Sequence, residues 1–111
     1  MSSTPPAMIL SNTEFVPGRE IVEFYGVVSG NTVRAKNIGR DILAGFKNIV
    51  GGELAGYTEL LQEAREEATA RMIEQARSVG ANAVINVRFA TSSIAQGASE
   101  LFAYGTAVQV R

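Results

Sequence analysis

The chain has 111 residues, 10 basic and 11 acidic side chains, and a formal net charge of −1. That length suits one ordinary domain, and residues 1–7 read as a polar, proline-rich tail ahead of a single domain over 8–111. Cysteine and histidine are both absent, which excludes disulfides, zinc knuckles, cysteine nucleophiles and Ser-His-Asp catalysis.

No basic run interleaved with aromatic residues appears, so the electrostatic footprint of a nucleic-acid binder is missing. A basic amphipathic helix of the kind that lies on membranes is missing too. The apolar run near the start, Ala7-Met8-Ile9-Leu10, is too short for a signal peptide or a membrane span. The expected location is cytoplasmic. Charged residues make up 19% of the chain, against roughly 25% in soluble domains. The shortfall points to surface that does not face water, and so to a homo-oligomer.

In chain order, Met8 to Ser11 reads as a short first strand, followed by a loop that Pro17-Gly18 closes. Ile21 to Val33 reads as a strand pair or one long bent strand. Ile21, Glu23, Tyr25 and Val27 fall on one face, and Val22, Phe24, Gly26 and Val28 on the other. Neither face is cleanly polar, so both are expected to be covered. Gly30-Asn31 suits a turn or a bulge.

A first helix is expected over 38–50, with Asn37 as N-cap and Ile38, Ile42, Phe46, Ile49 and Val50 as its buried stripe. Gly39 and Gly45 inside it suit close packing against a neighbour. Gly51-Gly52 would stop it, since glycine enters the left-handed conformation without penalty. The second helix is predicted from about Tyr57 to Val79. Its stripe is Tyr57, Leu61, Ala64, Ala68, Met72, Gln75, Ala76 and Val79, and the alanines in it invite close approach by another backbone, an interface with a neighbouring copy included. Glu67 and Arg71 stand four apart in the favourable order, and Gly80 is the expected C-cap. Asn82 to Ala90 alternates as a strand, Thr91 to Ser99 reads as a loop or hairpin bending at Gly97, and Glu100 to Val110 is the last strand. Gly26 and Gly105 each interrupt an aromatic strand, which marks a bulge or a close backbone approach.

Ile21-Val22-Glu23-Phe24-Tyr25-Gly26-Val27-Val28, the segment from Arg40-Asp41 to Gly51-Gly52, Ala76-Arg77-Ser78-Val79-Gly80-Ala81-Asn82-Ala83-Val84 and Gly105-Thr106-Ala107-Val108 occur in this order. Together they resemble the YbjQ-like family, labelled "putative heavy-metal-binding", over about Met8 to Val110. The resemblance implies an α+β subunit with a curved antiparallel sheet packed on two helices, similar to dodecin-like subunits. It also implies a cyclic homo-oligomer, a pentamer, with no established reaction. Some members carry a cysteine where this chain has Tyr25. With neither thiolate nor imidazole, a metal site here must draw on oxygen ligands, which suit hard divalent cations.

Asp41, near a helix start, and Glu53, just past Gly51-Gly52, are the acids expected at a ligand or divalent-cation site, with Glu23 a further candidate. A first-turn acid that simply pairs with Arg34 or Arg40 is the structural alternative for Asp41. The backbone amides of Gly51 and Gly52 could face an anion, though no Gly-Lys-Ser/Thr follows to make a P-loop. Tyr57 and Arg65 are expected to close the same neighbourhood. Arg88 sits among apolar strand residues, and an interface salt bridge is its expected role. Without histidine, and with Lys36 and Lys47 as the two lysines, the many serines and threonines have no evident activating base. Binding or scaffolding through pockets between subunits is therefore the leading reading. A metal-ion binder with oxygen ligands and an enzyme acting on a small polar molecule at the subunit seam are the alternatives.

Overall fold

The computed structural model describes residues 6–35, 55–95 and 98–111, with the backbone alone for 34–35, 55–60, 93–95 and 98. The described elements are β1 (Ile9–Leu10), β2 (Ile21–Ala35), α1 (Ala55–Ser78), β3 (Ala83–Ala95) and β4 (Ala98–Val110). The strands form one sheet in the order β1-β3-β4-β2. The β2–β4 and β3–β4 pairs are antiparallel, whereas β1 runs parallel to β3. The α+β class holds, but the sheet is mixed rather than purely antiparallel. The helix expected over 38–50 lies outside the described residues, as does the bend at Gly97.

α1 follows its apolar stripe. Ala64, Ala68, Met72 and Ala76 recur every four residues and are all buried, which places them on one face of the helix. Ala68, Met72 and Ala76 pack on Val28, Val84, Ala103 and Ala107 of the sheet. Ala64 thus belongs to the core of its own chain rather than to an interface. The helix stops where Gly80 turns to φ +92°. The Gly80 amide donates to Arg77 O at 3.0 Å and the Ala81 amide to Ala76 O at 3.1 Å, the pair of bonds that defines a Schellman end.

Gly30-Asn31 makes no turn, because β2 continues straight through it. The glycine serves close approach instead. A Cβ built on Gly30 would lie 2.3 Å from Ala68 O and 2.4 Å from Met72 N, so the backbones of strand and helix meet there. One step on, Thr32 is buried and its hydroxyl donates to Ala64 O at 3.2 Å. The outward edge of β2 is also engaged. The Ser29 amide donates to Gln75 Oε1 at 2.7 Å, and Arg71 Nη1 donates to the Asn31 carbonyl. Two helix side chains four residues apart thereby occupy backbone groups that an edge strand would otherwise present to another chain.

The opposite face of the sheet carries a second core. Ala83, Ile85, Val108 and Val110 pack there with Val16, Ile9 and Ile21. Register shifts break β2 between Phe24 and Gly26 and β3 between Ile85 and Arg88. Gly26 sits at the first with φ +105°. Gly105 lies beneath the second, where an added Cβ would come within 2.7 Å of the Val84 side chain. Both glycine expectations hold. The β3 irregularity holds the loop that follows β1: Asn86, at φ +54°, donates its amide to Thr13 O, and the Val87 amide donates to Ser11 O.

Asn82 closes the sheet by acting as an extra peptide group. Its side-chain amide donates to Val110 O and its side-chain carbonyl accepts from Val110 N, both at 2.8 Å.

The contact at Gly30 sets a direct test. Gly30→Ala must push backbone against backbone, an overpacking expected to cost about 2 kcal/mol or more. That loss should lower Tm by roughly 8 °C or more in a domain of this size. Ser29→Ala, on the neighbouring exposed position, should stay within about 0.5 kcal/mol. Thermal denaturation of the two variants checks the comparison, and an unchanged Tm for Gly30→Ala would contradict the packing.

Candidate functional site

Of the residues expected at a ligand site, Asp41, Gly51, Gly52 and Glu53 lie outside the described residues. Tyr57 falls in the first turn of α1, where the backbone alone is described. Glu23 is exposed on β2. Among the described residues no three acidic side chains converge as a metal cluster would require. Methionine offers the remaining soft donor type, but Met72 is fully buried in the core and Met8 packs against the same cluster.

Arg65 has a definite setting. It is exposed on α1 and lines an open cleft of about 480 Å3 between the helix and β3. Gln62, Glu66, Thr69, Ala70 and Ile73 share the helix side of the cleft, and Phe89 lines it from β3. Part of the lining is apolar: Ile73 is half-buried, and Phe89 keeps 48% of its surface accessible. Arg65 and Glu66 make the rest of it charged. Glu66 accepts a long bond, 3.4 Å, from Gln62 Nε2, and no ion pair joins Arg65 to Glu66. The Thr69 hydroxyl is committed to the helix, donating to Arg65 O at 2.7 Å.

Sequence reasoning selected Arg65 but missed its companions. Phe89 is 24 positions away, and the strand pattern marked it as one more alternating apolar residue. A second helical row, Arg65-Thr69-Ile73, runs one position beyond the buried stripe at Ala64-Ala68-Met72. That row was the available signal, since residues four apart share a helix face.

Arg88 is engaged within its own chain. It donates to the carbonyl of Asn12 at 2.7 Å and to that of Val87 at 3.0 Å. Its guanidinium ties the loop after β1 to β3 within one chain, and guanidinium donors suit such fixed carbonyls.

A third surface lies on the side of the sheet away from α1. Register sets Phe24 opposite Val108 and Val27 opposite Thr106. Val108 belongs to the second core, but Phe24 is 65% exposed and Val27 78% exposed. Tyr104 and half-buried Phe102 continue the patch, their ring centroids 5.8 Å apart. No described element of this chain covers it. Exposed apolar groups that adjoin one another, unlike scattered single ones, mark interaction surfaces. Among the described residues no helix is long and apolar enough to cross a membrane.

Comparison with known proteins agrees with this architecture. A protein of unknown function in the DUF74 family, from Pediococcus pentosaceus, has a crystal structure that superposes with a TM-score of 0.62 at 13% identity, over 94% of this chain and 98% of that one. That likeness concerns the fold alone. Sequence relatives are nearer. A UPF0145 protein of Hahella chejuensis is 67% identical over 101 residues, covering 91% of this chain and 97% of the relative. A UPF0145 protein of Archaeoglobus fulgidus is 62% identical over 104 residues, covering 94% and 96%. The YbjQ-like family model described as "Putative heavy-metal-binding" matches residues 8–111. Matched along nearly its whole length by both criteria, this chain belongs to the YbjQ-like, UPF0145 family.

Proposed function

We propose that this chain is a non-catalytic, ring-forming binding protein of the cytoplasm, working through pockets that form where subunits meet. The apolar patch of Phe24, Val27, Phe102 and Tyr104 carries the reading. An exposed β-sheet face of this kind loses water-accessible apolar area when a second copy covers it, at about 25 cal/mol per Å2. The low charged fraction of the chain fits the same account. A pentamer of dodecin-like subunits is the assembly implied by the family resemblance.

The family's heavy-metal description does not fit this chain's donors. Thiophilic ions favour thiolate, thioether or imidazole donors; the 111 residues hold no cysteine or histidine, and Met8 and Met72 are packed into the core. Asp41 and Glu53 offer oxygen ligands only, so a metal-binding role would be confined to hard cations. An enzyme at the subunit seam would have to rely on carboxylates and arginines, with no general base whose surroundings favour proton transfer.

Two measurements test the proposal. Native mass spectrometry of the untagged chain should show one discrete oligomer, and Val27→Glu should shift it to monomer while leaving the circular dichroism spectrum intact. A wild-type monomer, or a Val27→Glu variant that assembles as before, would sink the reading. Calorimetric titration with cadmium in thiol-free buffer should show no stoichiometric uptake. Tight one-to-one cadmium binding would reinstate the heavy-metal role against the donor argument.

A further inference from the structure

The α1–β3 cleft joins charged and apolar lining groups. Opposite charges are among its lining groups, Arg65 and Glu66 on the helix side, and no ion pair joins them. Ala70, Ile73 and the accessible ring of Phe89 line the same cleft. The space, about 480 Å3, is open to solvent and leaves room for a small molecule to lie against the helix with part of its surface in water. A purely apolar ligand would leave both charges unused. A simple anion would meet Glu66, and a simple cation would meet Arg65. The occupant whose chemistry matches all the lining groups carries both charges close together and an apolar body.

We infer that this cleft binds a hydrophobic zwitterion, an α-amino acid with an apolar side chain. Its carboxylate lies toward the Arg65 guanidinium, which presents several donors in a fixed plane and suits carboxylate geometry. Its ammonium lies toward the Glu66 carboxylate and replaces the long bond from Gln62. Its side chain rests on Phe89 and Ile73, where an aromatic ring would gain contact with Phe89 beyond simple area burial. The Thr69 hydroxyl, already donating within the helix, shapes the wall rather than recognising the ligand.

This inference goes beyond the inter-subunit binding role proposed above, because the cleft lies within one subunit and its occupancy does not depend on the oligomer. The test uses the isotope-labelled full chain and three probes: L-phenylalanine, phenylacetate and phenethylamine. Two-dimensional NMR should show L-phenylalanine shifting the amides around Phe89 and Ile73. Each singly charged probe should bind about tenfold more weakly, the loss expected for one exposed charge-assisted contact supported by its neighbours. Arg65→Gln should bring L-phenylalanine down to the level of phenethylamine, and Glu66→Gln should bring it down to that of phenylacetate. Both side chains are exposed, so the two variants should keep the wild-type spectrum elsewhere.

Equal binding of the three probes, or shifts that ignore both substitutions, would overturn the assignment. So would the absence of any shift around Phe89 with L-phenylalanine. Native mass spectrometry of the same samples separates the two ideas. Cleft shifts on a monomer uphold the site and defeat the ring, and a ring without cleft shifts does the reverse.

Discussion

The fold depends on how closely α1 can approach β2. At Gly30 the strand has no side chain, and at Ala68 the helix has almost none, so the strand backbone comes up against the helix backbone at Ala68 and Met72, with the Arg71 Cβ beside it. Close packing makes such a contact exacting, because a core has little free volume in which to absorb an added methyl group. Much else follows from that spacing. Thr32 can reach the Ala64 carbonyl only because the helix lies so low over the strand. Gln75 and Arg71 can wrap over the strand and reach its outer backbone groups only from the same height. Met72 fills the space on the far side of the glycine, and it is the largest fully buried side chain of the molecule's described part. A stripe of larger residues in place of the alanines would lift α1 and break these links together.

The same spacing makes the sheet asymmetric in its treatment of water. On the helix side, small residues in β4, namely Ala103, Gly105 and Ala107, lie buried beneath α1. On the other side, Val16 and its loop cover one end, anchored by bonds from Asn86, Val87 and Arg88 to carbonyls of residues 11–13. The cover stops near Val108, and Phe24 and Val27 beyond it remain in water. Both faces of β2 are apolar in the sequence, and among the described residues α1 and the loop of residues 11–20 cover only part of that surface. Among the described residues, the expected cover is present on one face and only partial on the other.

Much of this fold was legible in the sequence. The four-residue recurrence from Ala64 to Ala76, stopped by Gly80, located α1 to within two residues at its start and one at its end. Alternation located β3 and β4, although the serine- and alanine-rich stretch between them concealed how far both strands run, to Ala95 and from Ala98. Gly30 was misread because glycine carries one signal for several demands: a turn, a bulge or the close passage of another backbone. Which demand applies depends on what lies above the residue, and a linear chain does not carry that information. The parallel pairing of β1 with β3 was hidden for the same reason, since a two-residue strand has too few positions to express a pattern. Of the candidate site, Arg65 was legible as an arginine off the buried stripe. Its setting was not, because Phe89 reaches the cleft through the packing of α1 on the sheet rather than through any sequence spacing. Asp41 and Glu53 lie outside the described residues, so their proposed partnership rests on the sequence alone.

Side-chain direction separates the two surfaces left for function. Phe89 pairs across the sheet with Ala103, whose side is the one buried beneath the helix. Val27 pairs with Thr106, three positions further along β4 and therefore on the opposite face, because successive strand residues point to opposite sides. The cleft and the apolar patch consequently stand on opposite faces of one sheet. A second copy seated on Val27 and Phe24 would not by that contact fill the cleft, and a ligand against Phe89 would not obstruct that contact. Coupling between the two, where it exists, would have to pass through β4, whose Ala103 and Tyr104 are adjacent and face opposite ways. Small shifts in that strand are constrained on one side by the tight helix contact and on the other by the Phe102–Tyr104 ring pair. The arrangement favours assembly and binding as independent properties of the subunit, each adjustable by side chains on its own face.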